Sequence, residues 1–172
     1  ATRRGLLFIQ RASKLLPKAK FSVFCFKEDA NEPPFFENIR SFVETINGNF
    51  YQARNVGIAK YDCLWEEIGE IDVGFCVSWR YMIPSHVYNK PLCGTFVFHD
   101  SLLPRYRGFA PTVWSIINGE SHTGVTLMKI AENIDAGDIV DQQRVEIDEA
   151  DTIADVLEKV TSTYLVSLQN SI

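Results

Sequence analysis

The sequence predicts an α/β layered fold whose first half is largely parallel. Two observations predict it: short apolar runs of strand length alternate with amphipathic stretches of helix length, and charged or turn-forming residues close most of the runs. At 172 residues the chain can bury a sizeable core and is too short to suggest two domains. One domain over residues 1–172 is therefore expected.

The elements follow in order. Phe8, Ala12, Leu15 and Leu16 share one helical face, and Phe21 to Phe26 is a buried-strand run stopped by Lys27-Glu28-Asp29. Phe35, Ile39, Phe42, Val43 and Ile46 repeat the helical spacing, and Asn47-Gly48 supplies a left-handed stop. An amphipathic piece from Leu64 to Ile68 precedes a strand from Asp72 to Val77, and Thr95 to Phe98 forms another that ends at His99. Pro111 suits the first turn of a helix that runs through Ile117 and closes at Asn118-Gly119. Strands are expected over Thr123 to Ile130 and Ile139 to Val145. Ile153, Val156, Leu157, Val160, Tyr164 and Leu168 stripe a final helix begun by Asp151-Thr152. An α/β domain normally opens on a strand, whereas this chain opens on a helix without an initiator Met. A leading strand, central in a doubly wound sheet, is expected to precede Ala1.

Composition excludes some function classes. With 46% apolar and 23% charged residues and a net charge of −5, the chain has no electrostatic reason to bind nucleic acid on its own. No apolar run approaches the ~20 residues of a membrane span, and the N-terminal stretch lacks a signal-peptide pattern. Cys25, Cys63, Cys76 and Cys93 are far apart and lack metal-ligand spacing, so reduced core thiols in a cytoplasmic protein, and no metal, are expected.

In such sheets ligands bind outside the carboxyl ends of the strands, and three segments fall there: Ser78 to Pro84, His99 to Gly108, and Asn133 to Asp138. The first offers aromatic and apolar surface for a flat heterocycle, or is a turn with Pro84 starting a helix. His99 at a strand end and Asp135 in a turn are the components of a proton-transfer site; taken alone, each reads more often as a structural residue, the histidine hydrogen-bonded and the aspartate capping its own turn. Arg105 and Arg107 either grip an anion or are solvated loop charges. His86 and His122 read as surface or capping residues, and Trp114 as core.

The run Ser101-Leu102-Leu103-Pro104-Arg105-Tyr106-Arg107-Gly108, followed by Ile117-Asn118-Gly119-Glu120, Thr123-Gly124-Val125-Thr126 and Asp135-Ala136-Gly137-Asp138-Ile139, closely resembles the folate-dependent formyltransferases. The family includes methionyl-tRNA, glycinamide ribonucleotide and sugar N-formyltransferases. The match is dense from Val73 to Val145 and weak before Asp72. The resemblance implies a Rossmann-like formyltransferase fold, a mostly parallel sheet flanked by helices, with the first strand and its small-residue turn preceding Ala1. It implies a formyl donor, 10-formyltetrahydrofolate, whose formyl carbon is attacked by a free amine to give a tetrahedral intermediate that needs oxyanion donors.

The family site is an Asn, a His two residues later and an Asp in a later loop. His99 and Asp135 match the last two, as the catalytic residues. The Asn position is Val97, which donates nothing from its side chain. Loss of one oxyanion donor typically costs about 10²- to 10³-fold in rate. Asp100 or Ser101 could supply the missing polar group. The hydrolase domain of 10-formyltetrahydrofolate dehydrogenase is similar in carrying an aliphatic residue there.

The resemblance further implies that Arg80, Met82 and Asp135 contact the folate, that the loop around Glu132 lies against the pterin, and that Leu103-Pro104 is cis. The implied function is formyl transfer to a primary amine of a small molecule, with a nucleotide-linked amino sugar first. The alternatives are the catalytic domain of a methionyl-tRNA formyltransferase, a 10-formyltetrahydrofolate hydrolase and a folate-binding module without turnover. A homodimer through the C-terminal helix is allowed.

Overall fold

The computed structural model describes residues 1–54, 56 and 62–172, with Asp62 and Cys63 described by their backbone alone. The chain divides into two compact units, Ala1–Cys93 and Gly94–Ile172.

The first unit contains helix α1 (Arg3–Leu15), strand β1 (Ser22–Cys25), helix α2 (Phe36–Thr45), strand β2 (Asn49–Gln52), helix α3 (Asp62–Ile68), strand β3 (Gly74–Cys76) and the one-turn helix α4 (Ser85–Tyr88). β1 and β2 pair in parallel from Ser22↔Asn49 to Cys25↔Gln52, as expected of a first half built from strand–helix–strand units. Just past the end of α2, Asn47 has a left-handed φ of 53° that lets Gly48 N–H bond back to Val43 O at 2.9 Å. Gly48 cannot be larger, because a Cβ there would meet Val43 and the Phe21 carbonyl at about contact-forbidden distance. A core forms around Ile9, Cys25, Phe36, Ile39 and Val43, and a second cluster gathers Ala53, Val56 and Val87 beneath Phe24, Trp65 and Trp79.

The second unit contains strand β4 (Thr95–His99), helix α5 (Pro111–Ile117), strands β5 (His122–Lys129) and β6 (Ile139–Glu146), and helix α6 (Ile153–Ser171). β5 pairs antiparallel with both β4 and β6, with a register shift against β6 between Leu127 and Met128. α6 starts on a capping box between Thr152 and Asp155. It buries Val156, Val160, Tyr164 and Leu168, the stripe its spacing predicts. The Tyr164 ring stacks on Phe98, centroids 4.7 Å apart. Its single hydroxyl proton is shared between the Asp100 carboxylate and Phe98 O, the latter at 3.2 Å. One residue of α6 thus anchors the end of β4 from below.

Some expectations give way here. Strand β2 was invisible because Asn49-Phe50-Tyr51-Gln52 is too short and polar-ended to show alternation. Trp114 is 52% exposed and Cys93 is exposed, so neither is a core residue. Trp114 misleads because α5 is only two turns long and turns its other side, Thr112 and Ser115, to the sheet. Cys25 is buried, and desolvation pushes the Cys76 thiol up to about 12; the side chain of Cys63 lies outside what is described. No helix among the described residues is long and apolar enough to cross a membrane.

Tyr164→Phe removes a buried hydroxyl that serves a carbonyl and a carboxylate. A loss of about 1.5–3 kcal/mol is expected, the range for bonds to charged groups. It should appear as a lower urea midpoint at unchanged m-value.

Candidate active site

Strand alternation fixes the first elements of the site. On β4, Phe98 faces Tyr164 in the core, so Val97 and His99, one residue to either side, share the opposite face. In the β4–β5 register Val97 lies opposite Met128 and His99 opposite Thr126.

Thr126 is fully buried and organises the loop that follows His99. Its hydroxyl donates to Ser101 O at 2.6 Å and accepts from Leu103 N–H at 3.1 Å and from Gln142 Nε2 at 3.0 Å. That is the whole capacity of a hydroxyl. Gln142, on the neighbouring strand, also donates to Leu103 O at 2.8 Å. Thr123 donates to Asp100 O at 3.2 Å, and Gly124 leaves room for Leu102, which any Cβ would strike. The Thr123-Gly124-Val125-Thr126 motif is therefore a set of tethers for the loop from Asp100 to Leu103. The Leu103–Pro104 bond in this loop is cis, as the resemblance implies.

The tethered loop then turns back over His99. Ser101 Oγ donates to Arg105 O at 2.6 Å, and the Tyr106 carbonyl meets His99 Nε2 at 2.8 Å. A carbonyl only accepts, so Nε2 carries a proton. The other ring nitrogen, Nδ1, faces Asp135 Oδ2 at 3.6 Å. That separation is longer than a hydrogen bond but within ion-pair range. His99 is 8% exposed. The same Asp135 oxygen accepts Gly108 N–H at 2.7 Å, which ties the β5–β6 loop to the loop that carries Tyr106.

Asp135 itself is held by backbone. The loop is closed at its base by Lys129 N–H on Asp138 O at 2.9 Å. Gly137 packs so tightly against the Lys129 carbonyl that no Cβ fits. Asp135, Tyr106 and Ala110 all adopt left-handed φ values, of 49°, 54° and 54°. Such conformations cost of order 1–3 kcal/mol each and persist where surroundings over-determine them, which is typical of functional sites.

His99 and Asp135 are thus brought together. Arg80 and Met82 belong to the first unit. There Arg80 bonds Glu32 at 2.5 Å, lies 3.8 Å from Asp29 and covers the Phe26 ring, while Met82 is 71% exposed. The hydrogen bond from Asp29 N–H, then the Arg80 guanidinium, hold the Glu32 carboxyl below its ordinary range. Arg105 is not a solvated loop charge alone: it pairs with Glu120. Asp100 is occupied by Tyr164 and Thr112, and Ser101 by the Arg105 carbonyl, so both are committed away from the amide position that the resemblance implies at Val97. Sequence reading missed the Tyr106 carbonyl, which carries no side-chain signature, and Thr126 and Gln142, whose β-strand alternation reads as ordinary sheet.

Comparison with known proteins gives the family. The family model described as "Formyl transferase" matches residues 19–165. The chain belongs to the formyl transferase family. A methionyl-tRNA formyltransferase of Phocaeicola vulgatus is 43% identical over 91 residues, 53% of this chain and 28% of that protein. The chain thus matches less than a third of that relative's length. The crystal structure of phosphoribosylglycinamide formyltransferase from Anaplasma phagocytophilum superposes with a TM-score of 0.77 at 17% identity, over 98% of this chain and 79% of that one. A formyltransferase from Anoxybacillus kamchatkensis, solved with UDP-4,6-dideoxy-4-formamido-L-AltNAc and tetrahydrofolate, gives 0.59 at 22% identity, over 86% and 72%. The fold is accordingly the α/β, Rossmann-like formyltransferase fold.

Thr126→Val keeps the shape of the side chain and leaves the buried Leu103 N–H without its acceptor. A loss of about 1–3 kcal/mol is expected for that orphaned group, read as a lower thermal midpoint. An unchanged midpoint would contradict the tethering role.

Proposed function

We propose that this chain transfers a formyl group from 10-formyltetrahydrofolate to a primary amine, with His99 and Asp135 as the catalytic pair. The observation that carries the reading is the opposed geometry at His99. Nε2 is committed to a backbone carbonyl, while Nδ1 and Asp135 Oδ2 face each other 3.6 Å apart. The reaction forms a C–N bond to the acceptor, breaks the bond to N10 of the folate, removes a proton from the amine and returns one to N10. His99 Nδ1, when protonated, donates to the formyl oxygen as it gains charge. Asp135 balances the imidazolium and accepts the amine proton, directly or through water. The donor set fits this chemistry: one imidazole and one carboxylate on backbone held by named bonds, with exposed apolar Ile134 and Phe109 next in sequence to Asp135 and Gly108.

Arg80 and Met82 are proposed as folate contacts on the resemblance alone. Arg80 must exchange Glu32 and Asp29 for a ligand to serve as one. The single catalytic domain over 1–172 is supported by a family match that runs through both units.

For the acceptor we favour a small molecule, a nucleotide-linked amino sugar. The net charge of −5 gives this chain no electrostatic pull on a polyanion, and the Anoxybacillus neighbour was solved with a UDP-linked formamido sugar. A second reading, formylation of methionyl-tRNA, is favoured by the 43% identity to an enzyme of that name.

The test is folate turnover by the full-length protein. Tetrahydrofolate should appear with a nucleotide amino sugar and not without an amine. Release on methionyl-tRNA alone supports the second reading, release without any acceptor means hydrolysis, and no release overturns catalysis. Val97→Asn restores an amide on the His99 face of β4. It should raise the rate, by up to about 10²- to 10³-fold if the amide reaches the oxyanion. No gain would contradict the assignment of Val97 to that position.

A further inference from the structure

We propose that Glu120 is a positioning residue for His99. Through Tyr106 and Arg105 it keeps the Tyr106 carbonyl on Nε2, so that neutral His99 is the Nε2–H tautomer and Nδ1 is the nitrogen that gains and loses the proton. Glu120 belongs to the Ile117-Asn118-Gly119-Glu120 motif, 21 positions from His99 in sequence, and the motif alone gives it no role at the imidazole.

The connection is a chain of short contacts. Tyr106 has a left-handed backbone, which a tyrosine adopts only when held there. Its hydroxyl donates to Glu120 Oε1 at 2.6 Å and accepts from Asn118 Nδ2 at 3.1 Å. Arg105 pairs with the same carboxylate oxygen and lies over the Tyr106 ring, 5.4 Å from its centroid. The Arg105 carbonyl is in turn held by Ser101 Oγ. Glu120 is fixed from the other side, since its N–H bonds Ser115 O at 3.0 Å, and Asn118 caps α5. The residues on both sides of the Tyr106 ring are therefore anchored to the end of α5, and the carbonyl has one place to point. That place is His99 Nε2, at 2.8 Å.

The clamp is charged at neutral pH. The Tyr106 hydroxyl first, then the Arg105 charge and His122, hold the Glu120 carboxyl below its ordinary range. An ionised carboxylate is acceptor-only, so it cannot exchange roles with the Tyr106 hydroxyl. At His99 the groups that face the ring are the Tyr106 carbonyl on Nε2 and the Asp135 carboxylate on Nδ1. Without the carbonyl, Asp135 is the stronger acceptor and would draw the neutral proton to Nδ1. The wrong tautomer would then present a bare Nε2 and bury the exchangeable proton against Asp135.

The inference deepens the proposed reaction by naming the atom that moves the proton, and the tautomer can be read with no folate present. The full-length protein is labelled with ¹⁵N in histidine, and the His99 and His86 signals are assigned by their loss in His99→Gln and His86→Gln. In long-range ¹H–¹⁵N spectra above the imidazole titration, His99 should show a protonated Nε2 and a bare Nδ1. Glu120→Ala should move it to mixed tautomers while the His86 signals stay in place. Should Glu120→Ala fail to fold, Tyr106→Phe, which removes only the hydroxyl, gives the same reading. A wild-type His99 protonated at Nδ1, or a tautomer unchanged in the variants, overturns the proposal. Formyl transfer fails separately: turnover absent with the Nε2–H tautomer intact would overturn the reaction and leave the positioning standing.

Discussion

The hydroxyl of Thr126 is the interaction on which the rest of the site depends. It spends its one donor and both acceptor positions on two segments of chain. By doing so it lays the loop after β4 across the sheet instead of letting it leave as an ordinary surface connection. Everything downstream inherits that course: the return of the chain over His99, the Tyr106 carbonyl at Nε2 and the Gly108 amide at Asp135. A buried hydroxyl is costly unless fully paired. Its full pairing makes the loop's position specific, since a slipped loop would orphan several buried groups at once.

The site is also where local backbone preference is overruled. Tyr106, Ala110 and Asp135 all sit in left-handed conformations that their side chains disfavour. Around them the polar groups are unusually well matched: Arg105, Tyr106 and Asn118 converge on Glu120 or its partner, and Asp135 accepts a backbone amide. The matched polar groups hold the strained residues, and the strained residues aim a carbonyl and a carboxylate at opposite nitrogens of one imidazole. Asp135 stays within ion-pair reach of Nδ1 without sharing a proton with it. A substrate atom that approaches that side meets both groups.

How much of this was legible in the sequence differs by level. Helices with a strong stripe, such as α2 and α6, and strands with an apolar run ended by charge, such as β1, are set by local periodicity and were readable. So were the turn residues Asn47 and Gly119, whose positive φ follows from their chemistry. The four residues of β2 carry no such period, and α5 is too short for its pattern to tell Trp114 from a core residue. His99 and Asp135 were readable as titratable groups at loop ends, and their pairing came from the resemblance. The parts that place them were not readable. A main-chain carbonyl has no letter in the sequence, and a threonine that tethers a loop looks like any strand threonine.

Val97 stands where the resemblance to the family implies an Asn. It stands on the same strand face as His99, and Asp100 and Ser101 are committed elsewhere. In the proposed reaction the oxyanion is therefore left chiefly to His99 Nδ1. The most direct test is a crystal structure of the full-length protein with a non-transferable analogue of the formyl donor. The account predicts the formyl oxygen within about 2.7–3.1 Å of His99 Nδ1, the range expected of an oxyanion donor. A formyl group turned away from Nδ1, with its oxygen held by other donors, would contradict it.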